Sequence, residues 1–254
     1  MMPSSPYLIR NLQLALELLF LVREKPCSFE RLQEALKLSR PKLQKLLNFL
    51  TEHEWLVYDA DENLYRLGLK SFELGSAYLR HLDVTKAARP VLDRLARALG
   101  ENVYLTTRVA YEVLYIAKSE VERKVRILSR YGRVLPLYAS ASGKIYLSHF
   151  DPRELEDYLK TVKWVRHTRN TKTLNELLNE LKKIKKDGYA VNLEEYEEEV
   201  VSSAAPVYDS TGAVRYTVTL VAPSYRVKPA ELQGRVKELL KEAARELSAK
   251  LGGL

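Results

Sequence analysis

The sequence predicts an α+β protein of two domains, and three observations support this fold class. Helical patterns followed by a strand-turn-strand pattern fill residues 1–70, and strand-like runs alternating with helices fill most of the rest. The length of 254 residues also exceeds what one ordinary hydrophobic core uses. We therefore expect an N-terminal domain at 1–70, a linker helix at 71–83 and a larger domain at 84–254.

Composition indicates a folded protein of a reducing compartment. Apolar residues make up 46% of the chain and charged residues 29%, which is ordinary for a soluble protein. Cys27 is the only cysteine, so no intramolecular disulfide can form, and a cytoplasmic location is expected. The apolar stretch from Leu12 to Val22 is interrupted by polar residues and too short to cross a bilayer, so no membrane partner is expected.

The net charge of +8 is informative only through its distribution. Residues 1–80 carry 11 Lys or Arg against 10 Asp or Glu, so bulk charge does not identify a nucleic-acid partner there. Within that part, Arg31 to Lys45 holds five basic residues against one acidic residue, Glu34. This local cluster is the feature that favours contact with phosphate.

Two helices are predicted in the first 37 residues. Apolar residues at three- and four-residue steps predict an amphipathic helix from Leu8 to Val22; they are Leu8, Leu12, Ala15, Leu16, Leu19 and Val22. Ser28 is a suitable N-cap for a short second helix, FERLQEALK. The dipeptide Leu38-Ser39 then leaves room for only a tight turn.

A third helix is predicted from Arg40 to His53, since Pro41 suits a first helical turn. Its stripe of Leu43, Leu46, Leu47 and Leu50 leaves polar residues facing outward. The next segment, WLVYDADENLYRLG, predicts a β-hairpin around the turn 60–63. This order is typical of a winged helix-turn-helix, whose third helix enters the major groove of DNA while the wing touches the backbone. The predicted DNA-binding residues are Arg40, Lys42, Gln44, Lys45 and Asn48.

The C-terminal part has its own sequence of predicted elements. Strands are expected at 102–109, 113–119, 124–131, 189–192, 201–208 and 214–221. Helices are expected at 142–150, 154–160, 174–186 and 229–251. The small residues of LPLYASASGK lead into the first of these helices, where free backbone N–H groups suit a carboxylate or phosphate. An ordinary helix capped by Ser140 or Ser142 explains the same pattern.

These segments resemble the IclR-type regulators over nearly the whole chain. In the N-terminal part the resemblance is carried by NLQLALELL, LKLSRPKLQKLLNFL and LYRLGLKSFELG. In the C-terminal part it is carried by GENVYLTTRVAYEVLYIAKSE, GRVLPLYASASGK, TRNT, KKDGYAVNLEEYEEEVVSSAAPVYDSTGAV and ELSAKLG. The chain is thereby identified as a member of this family.

The resemblance implies a GAF/profilin-like antiparallel sheet with flanking helices that binds a small-molecule effector, by default a small organic acid. It also implies homodimers formed through the DNA-binding domain and linker helix, often paired into tetramers. The expected partners are double-stranded DNA and that effector, and no cofactor is implied. The family's effector-binding positions fall on Ala141, Ser142, Asn192, Ser202, Thr219 and Val221.

The chain departs from the family pattern where specificity is set. Pro41 to Lys45 stand in place of a Ser-Thr-Val-His-Arg stretch, so the operator sequence is not transferred, and phosphate contact is the role expected of Lys45. Asn192 replaces a common Asp and Glu199 a common Gly, which leaves the effector open.

The sequence also bears on two other classes of function, an enzyme and a ligand sensor without DNA binding. An enzyme is disfavoured because the sequence has no phosphate loop, nucleophile elbow or metal-binding helix motif, so no catalytic residue is predicted. The four histidines are scattered, and the acidic run from Glu194 to Glu199 lacks the turn glycine of a calcium loop, so a solvated loop and no metal site are expected. A ligand sensor that acts through protein partners without DNA is the remaining alternative, and the outward face of the third helix distinguishes the two.

Overall fold

A computed structural model describes residues 10–81, 83–123, 127 and 134–253 of the chain. The chain divides into two compact units, Met1–His81 and Leu82–Leu254. The predicted domain limits at 70/71 and 83/84 stay a prediction. Within the described residues, no helix combines the length and apolar character that a membrane span needs.

The first unit contains helices and one hairpin in the predicted order. Its elements are α1 (Arg10–Glu24), α2 (Phe29–Leu36), α3 (Arg40–Glu52), β1 (Leu56–Asp59), β2 (Leu64–Leu67) and α4 (Leu69–His81). Ser28 caps α2 by accepting a hydrogen bond from the backbone N–H of Arg31, as its position predicts. Lys37 ends that helix in the left-handed conformation, with φ of 51°, and the chain turns directly into α3. The hairpin turn occupies residues 60–63, as predicted.

The core of this unit uses only part of the apolar face predicted for α1. Val22 is buried, and Ala15 and Leu19 pack against the core, as predicted. Leu12 and Leu16 are 56% and 44% exposed, however, and Leu14 and Leu18 are buried in their place. The segment is apolar on nearly all sides, so periodicity alone does not choose the face. Leu8 lies outside the described residues.

The only cysteine of the sequence is part of this core. Cys27 is 2% exposed and forms an isolated antiparallel bridge with Tyr65 of β2. The bridge ties the segment between α1 and α2 to the hairpin, which fixes the hairpin against the helices.

The second unit is an antiparallel sheet with helices packed on it, in agreement with the predicted fold class. Its strands are β3 (Asn102–Val109), β4 (Glu112–Ser119), β5 (Val134–Pro136), β6 (Ala190–Leu193), β7 (Val200–Tyr208) and β8 (Val214–Pro223). They are arranged in the order β5-β4-β3-β8-β7-β6. Its helices are α5 (Asp83–Leu99), α6 (Ala141–Ser148), α7 (Pro152–Thr161), α8 (Leu174–Asp187), α9 (Pro229–Gln233) and α10 (Arg235–Lys250).

The structure of this unit differs from the prediction in two places, and a third prediction lies almost entirely outside the described residues. No element was predicted for 84–101, where α5 runs. The strand predicted at 124–131 lies outside the described residues except for Ile127. The helix predicted at 229–251 is two helices, because Gly234 leaves helical geometry with φ of −103° and ψ of −112°.

Candidate functional site

The outward face of α3 is the first candidate surface. Leu43 and Leu47 are fully buried on the opposite face and hold the helix against its unit. Arg40, Gln44, Lys45 and Asn48 are exposed, and Lys42 is half-buried. We call these five residues the α3 face. Within the first unit, the core does not cover this face.

Side chains of the α3 face are partly ordered by their neighbours. The Gln44 side-chain amide donates to Asn48 Oδ1 at 2.8 Å, and the Arg40 guanidinium lies 5.1 Å from the centre of the Phe29 ring. Among the described residues, neither Lys42 nor Lys45 forms an ion pair. The face therefore presents two ammonium groups and an amide pair, which are donors that suit phosphate oxygens and base edges.

The hairpin, which we call the wing, has an acidic tip. Asp59 accepts a hydrogen bond from the backbone N–H of Glu62 at 3.2 Å and another from Arg66 Nε at 3.1 Å. The hydrogen bond from the Glu62 backbone and the one from the Arg66 guanidinium hold the pKa of the Asp59 carboxyl below its usual value. Asp61 and Glu62 at the turn are exposed.

An apolar groove lies between α1 and α4 in the same unit. It encloses about 1230 Å³, and its lining includes Leu16, Phe20 and Leu74. Phe72 and Leu74 on α4 are 72% and 62% exposed. Apolar area of this kind on a surface is typical of protein interfaces.

A cleft in the second unit is the second candidate site. It is narrow and opens between the sheet and the loop after β6. Three predicted residues lie in one row across neighbouring strands, because Asn192 pairs with Ser202 and Ser202 pairs with Val221 in the sheet register. The row contributes an amide, a half-buried hydroxyl and an apolar side chain. The lining includes Asn192, Ser202, Val221, Tyr115, Leu135 and Tyr196.

The other three predicted residues lie beneath the cleft surface. Ala141 and Ser142 begin α6, Thr219 lies on β8, and all three are at most 2% exposed. Ser142 Oγ and Thr219 Oγ1 are 2.6 Å apart and satisfy each other, and Thr219 also contacts the Thr217 hydroxyl at 3.1 Å. These hydroxyls therefore support the cleft floor and are not free donors in its lining.

The junction before α6 is a capped helix start. Ser140 Oγ accepts from the Gly143 backbone N–H at 3.1 Å and donates to the Pro136 carbonyl at 3.1 Å. A side chain at Gly143 would place its Cβ 2.2 Å from the Leu137 carbonyl oxygen, so this position requires glycine. The Ser cap and the glycine together bring the start of α6 close to the 3-10 turn that precedes it.

A buried ion network next to the cleft was not predicted. Lys144 is fully buried, and its Nζ donates to Glu180 Oε1 at 2.8 Å, Glu195 Oε1 at 2.8 Å and the Val191 carbonyl at 2.6 Å. Burial raises the pKa of the Glu195 carboxyl. The expectation of a solvated loop at Glu194–Glu199 is thus wrong for Glu195, which is 2% exposed, although Glu197 to Glu199 are exposed.

This network fixes the loop that forms one side of the cleft. The Glu195 backbone N–H donates to Asn192 Oδ1 at 3.1 Å, and the Asn192 amide donates to the Ala139 carbonyl at 2.7 Å. The next residue, Tyr196, lines the cleft. A lysine within the apolar run SGKIYLS is a signal that sequence reasoning overlooked, because a buried ammonium needs anionic partners.

Replacing Lys144 with methionine is expected to lower the free energy of unfolding by about 3 kcal/mol at neutral pH, because two carboxylates lose their counter-ion. Because burial raises the pKa of Glu195, its protonated form stabilises the folded state at low pH, and this stabilisation is lost as the pH rises through that pKa. The loss of stability in the variant should therefore be smaller in acid. Urea unfolding followed by circular dichroism at several pH values measures both effects. Lys183→Met on the exposed side of α8 is the matched control, and equal stability of the two variants would contradict the role of the network.

No group of His, Cys, Asp or Glu within the described ranges is arranged to hold a metal ion. A family model described as the bacterial transcriptional regulator IclR C-terminal domain matches residues 76–249. The chain is 30% identical over 230 residues to the HTH-type transcriptional regulator KdgR of Escherichia coli K12, covering 90% of this chain and 87% of that protein.

Solved structures resemble both units. A crystal structure of the Thermotoga maritima IclR superposes with a TM-score of 0.70 at 30% identity, covering 96% of this chain and all of that chain. The inducer-binding domain of PobR from Acinetobacter, solved with 3-hydroxybenzoic acid, superposes with a TM-score of 0.60 at 25% identity over 65% of this chain and 97% of that chain.

Proposed function

The chain belongs to the IclR family of DNA-binding transcription regulators, which are not enzymes, and we propose that the α3 face carries its DNA contact. The observation that supports this proposal is the exposure of Gln44, Lys45 and Asn48 on a helix held from behind by buried leucines. Lys42, Lys45 and Arg40 suit phosphates, and the Gln44–Asn48 amide pair suits base edges. A sensor that acts only through protein partners is not favoured.

The proposed domain roles follow from this assignment. Residues 1–70 bind DNA, 71–83 form the linker helix and 84–254 bind the effector. A ligand alters DNA binding only if it binds one arrangement of the assembly better than another, so the linker must differ between those arrangements. Repressor and activator action are both compatible with such a linkage.

We further propose that the chain is a homodimer, or a dimer of dimers, assembled through the apolar groove between α1 and α4. The occupant is the same surface of a second copy, because Leu16, Phe20 and Leu74 in the groove and Phe72 elsewhere on α4 offer exposed apolar area on both helices, and a two-fold dimer uses one surface twice. Duplicating the α3 face in this way gives two half-site contacts with DNA.

The cleft is the proposed effector site. The row of Asn192, Ser202 and Val221 offers polar and apolar contacts side by side, as small-molecule sites do. Ala141, Ser142 and Thr219 are proposed to act from below, through the start of α6 and the buried hydroxyl pair. A small organic acid is the proposed class, and the hydroxybenzoic acid bound to the PobR domain supports it.

Replacing Ser202 with phenylalanine is expected to abolish ligand-induced thermal stabilisation, because the ring would occupy the narrow cleft that Ser202 lines. Thermal shift with a panel of hydroxybenzoic and short aliphatic acids measures the effect. Ser202→Ala preserves the space and serves as the control, which should retain most of the shift. Full stabilisation of the phenylalanine variant would place the effector elsewhere.

A further inference from the structure

The wing of this protein carries the wrong charge for binding phosphate. Between Trp55 and Gly68 the acidic residues are Asp59, Asp61 and Glu62, and Arg66 is the single basic residue. The segment from Arg31 to Lys45, in contrast, holds five basic residues and one acidic residue. The wing and the segment from Arg31 to Lys45 therefore carry net charges of opposite sign.

The pairing within the hairpin leaves the carboxylates at its tip without a counter-ion. Arg66 Nε lies 3.1 Å from Asp59 Oδ2, so the only cation of the wing is already paired within the hairpin. The same Asp59 carboxylate accepts the Glu62 backbone N–H and fixes the turn in place. Among the described residues, no cation forms an ion pair with Asp61 or Glu62, and both side chains are exposed, so the tip presents two uncompensated carboxylates.

The tip is also held rigidly. Tyr58 donates to Asn63 Oδ1 at 2.7 Å across the turn, and Asn63 adopts the left-handed conformation with φ of 55°. Close to the turn, the hairpin is also anchored by the bridge between Cys27 and Tyr65, which pairs with Tyr58. The backbone that carries Asp61 and Glu62 is therefore held in place at the tip of the wing.

We propose that Asp61 and Glu62 make the wing oppose DNA binding, so that the tip stands off the phosphate backbone and the α3 face supplies the attraction. This inference rests on the proposed function, because it assumes that the unit approaches DNA with α3. The carboxylates repel phosphate over a range set by ionic strength, about 10 Å at 0.1 M salt. They lower the affinity for all duplexes alike and so limit binding at sites without operator sequence.

The test compares two double variants of the full chain with the wild type, using a duplex of random sequence at several salt concentrations. Asp61→Asn with Glu62→Gln is expected to raise the affinity by about threefold to tenfold at low salt, with the gain disappearing as salt rises. Asp61→Lys with Glu62→Lys is expected to raise it by more than about tenfold and to steepen the salt dependence, because new phosphate contacts form.

Glu156→Lys with Asp157→Lys is the matched control, because it reverses the charge of two adjacent exposed residues on α7 and changes the net charge equally. A gain as large in this control would overturn the inference, since bulk charge would explain it. Unchanged or weaker binding by the wing variants would overturn it too. The proposed function fails separately, when Lys42→Glu with Lys45→Glu binds as well as the wild type.

Discussion

Replacing Lys42 and Lys45 together with glutamate is expected to weaken duplex binding by about 10³-fold or more at moderate salt, while the protein still folds and oligomerises. Each replacement removes a phosphate partner and adds a repulsive charge on the α3 face, and a dimer carries the change twice. Folding should persist because neither side chain belongs to the buried stripe of α3. Fluorescence anisotropy of a labelled duplex over a range of salt concentrations measures the affinity and its salt dependence.

The control for that variant lies in the other unit. Lys182→Glu with Lys183→Glu changes the net charge by the same amount on the exposed side of α8. We expect it to lose far less affinity, because its contribution is long-range and screened by salt. If the α3 variant bound as tightly as the wild type, the sensor that acts through protein partners would become the better description.

Phe72→Glu on α4 is expected to convert the assembly to monomers and to lower operator affinity by more than about 10²-fold. Phe72 is 72% exposed, so the substitution removes little packing within its own unit. In the proposed dimer it would place a carboxylate in an apolar interface, and two separate half-site contacts would replace one bivalent contact. Sedimentation velocity and a gel shift on a selected genomic fragment measure the two effects.

Tyr225→Glu is a matched control for the interface, because it puts the same charge in place of another exposed aromatic residue. It is expected to leave the assembly and the affinity unchanged. A Phe72 variant that still sediments as a dimer would show that the copies associate through a different surface.

Elements fixed by neighbouring residues were predicted well. Ser28 caps α2 and Pro41 lies in the first turn of α3, because caps and first turns depend on a few adjacent positions. The hairpin turn at 60–63 was likewise set by local polar residues. In contrast, the buried face of α1 depends on what packs against it. Its nearly uniform apolar sequence left that choice to the tertiary structure.

The candidate effector site was predictable only in part. Asn192 and Ser202 lie in the cleft, whereas the Ser142 and Thr219 hydroxyls satisfy each other beneath it. That pairing joins residues 77 positions apart, which no local pattern indicates. The carboxylate partners of Lys144, Glu180 and Glu195, lie 36 and 51 positions away, so the apolar run around Lys144 indicates burial but not which carboxylates pair with it.

The burial of Cys27 makes the protein convenient for spectroscopic work. Because this thiol is enclosed by the core and no second one occurs in the sequence, a maleimide dye or nitroxide spin label should attach only to a cysteine introduced at the surface. One label on the wing turn and another on α8 would report distances between copies of the chain without first removing a native thiol. The distance between the two wings of the proposed dimer could then be followed in solution as effector is added.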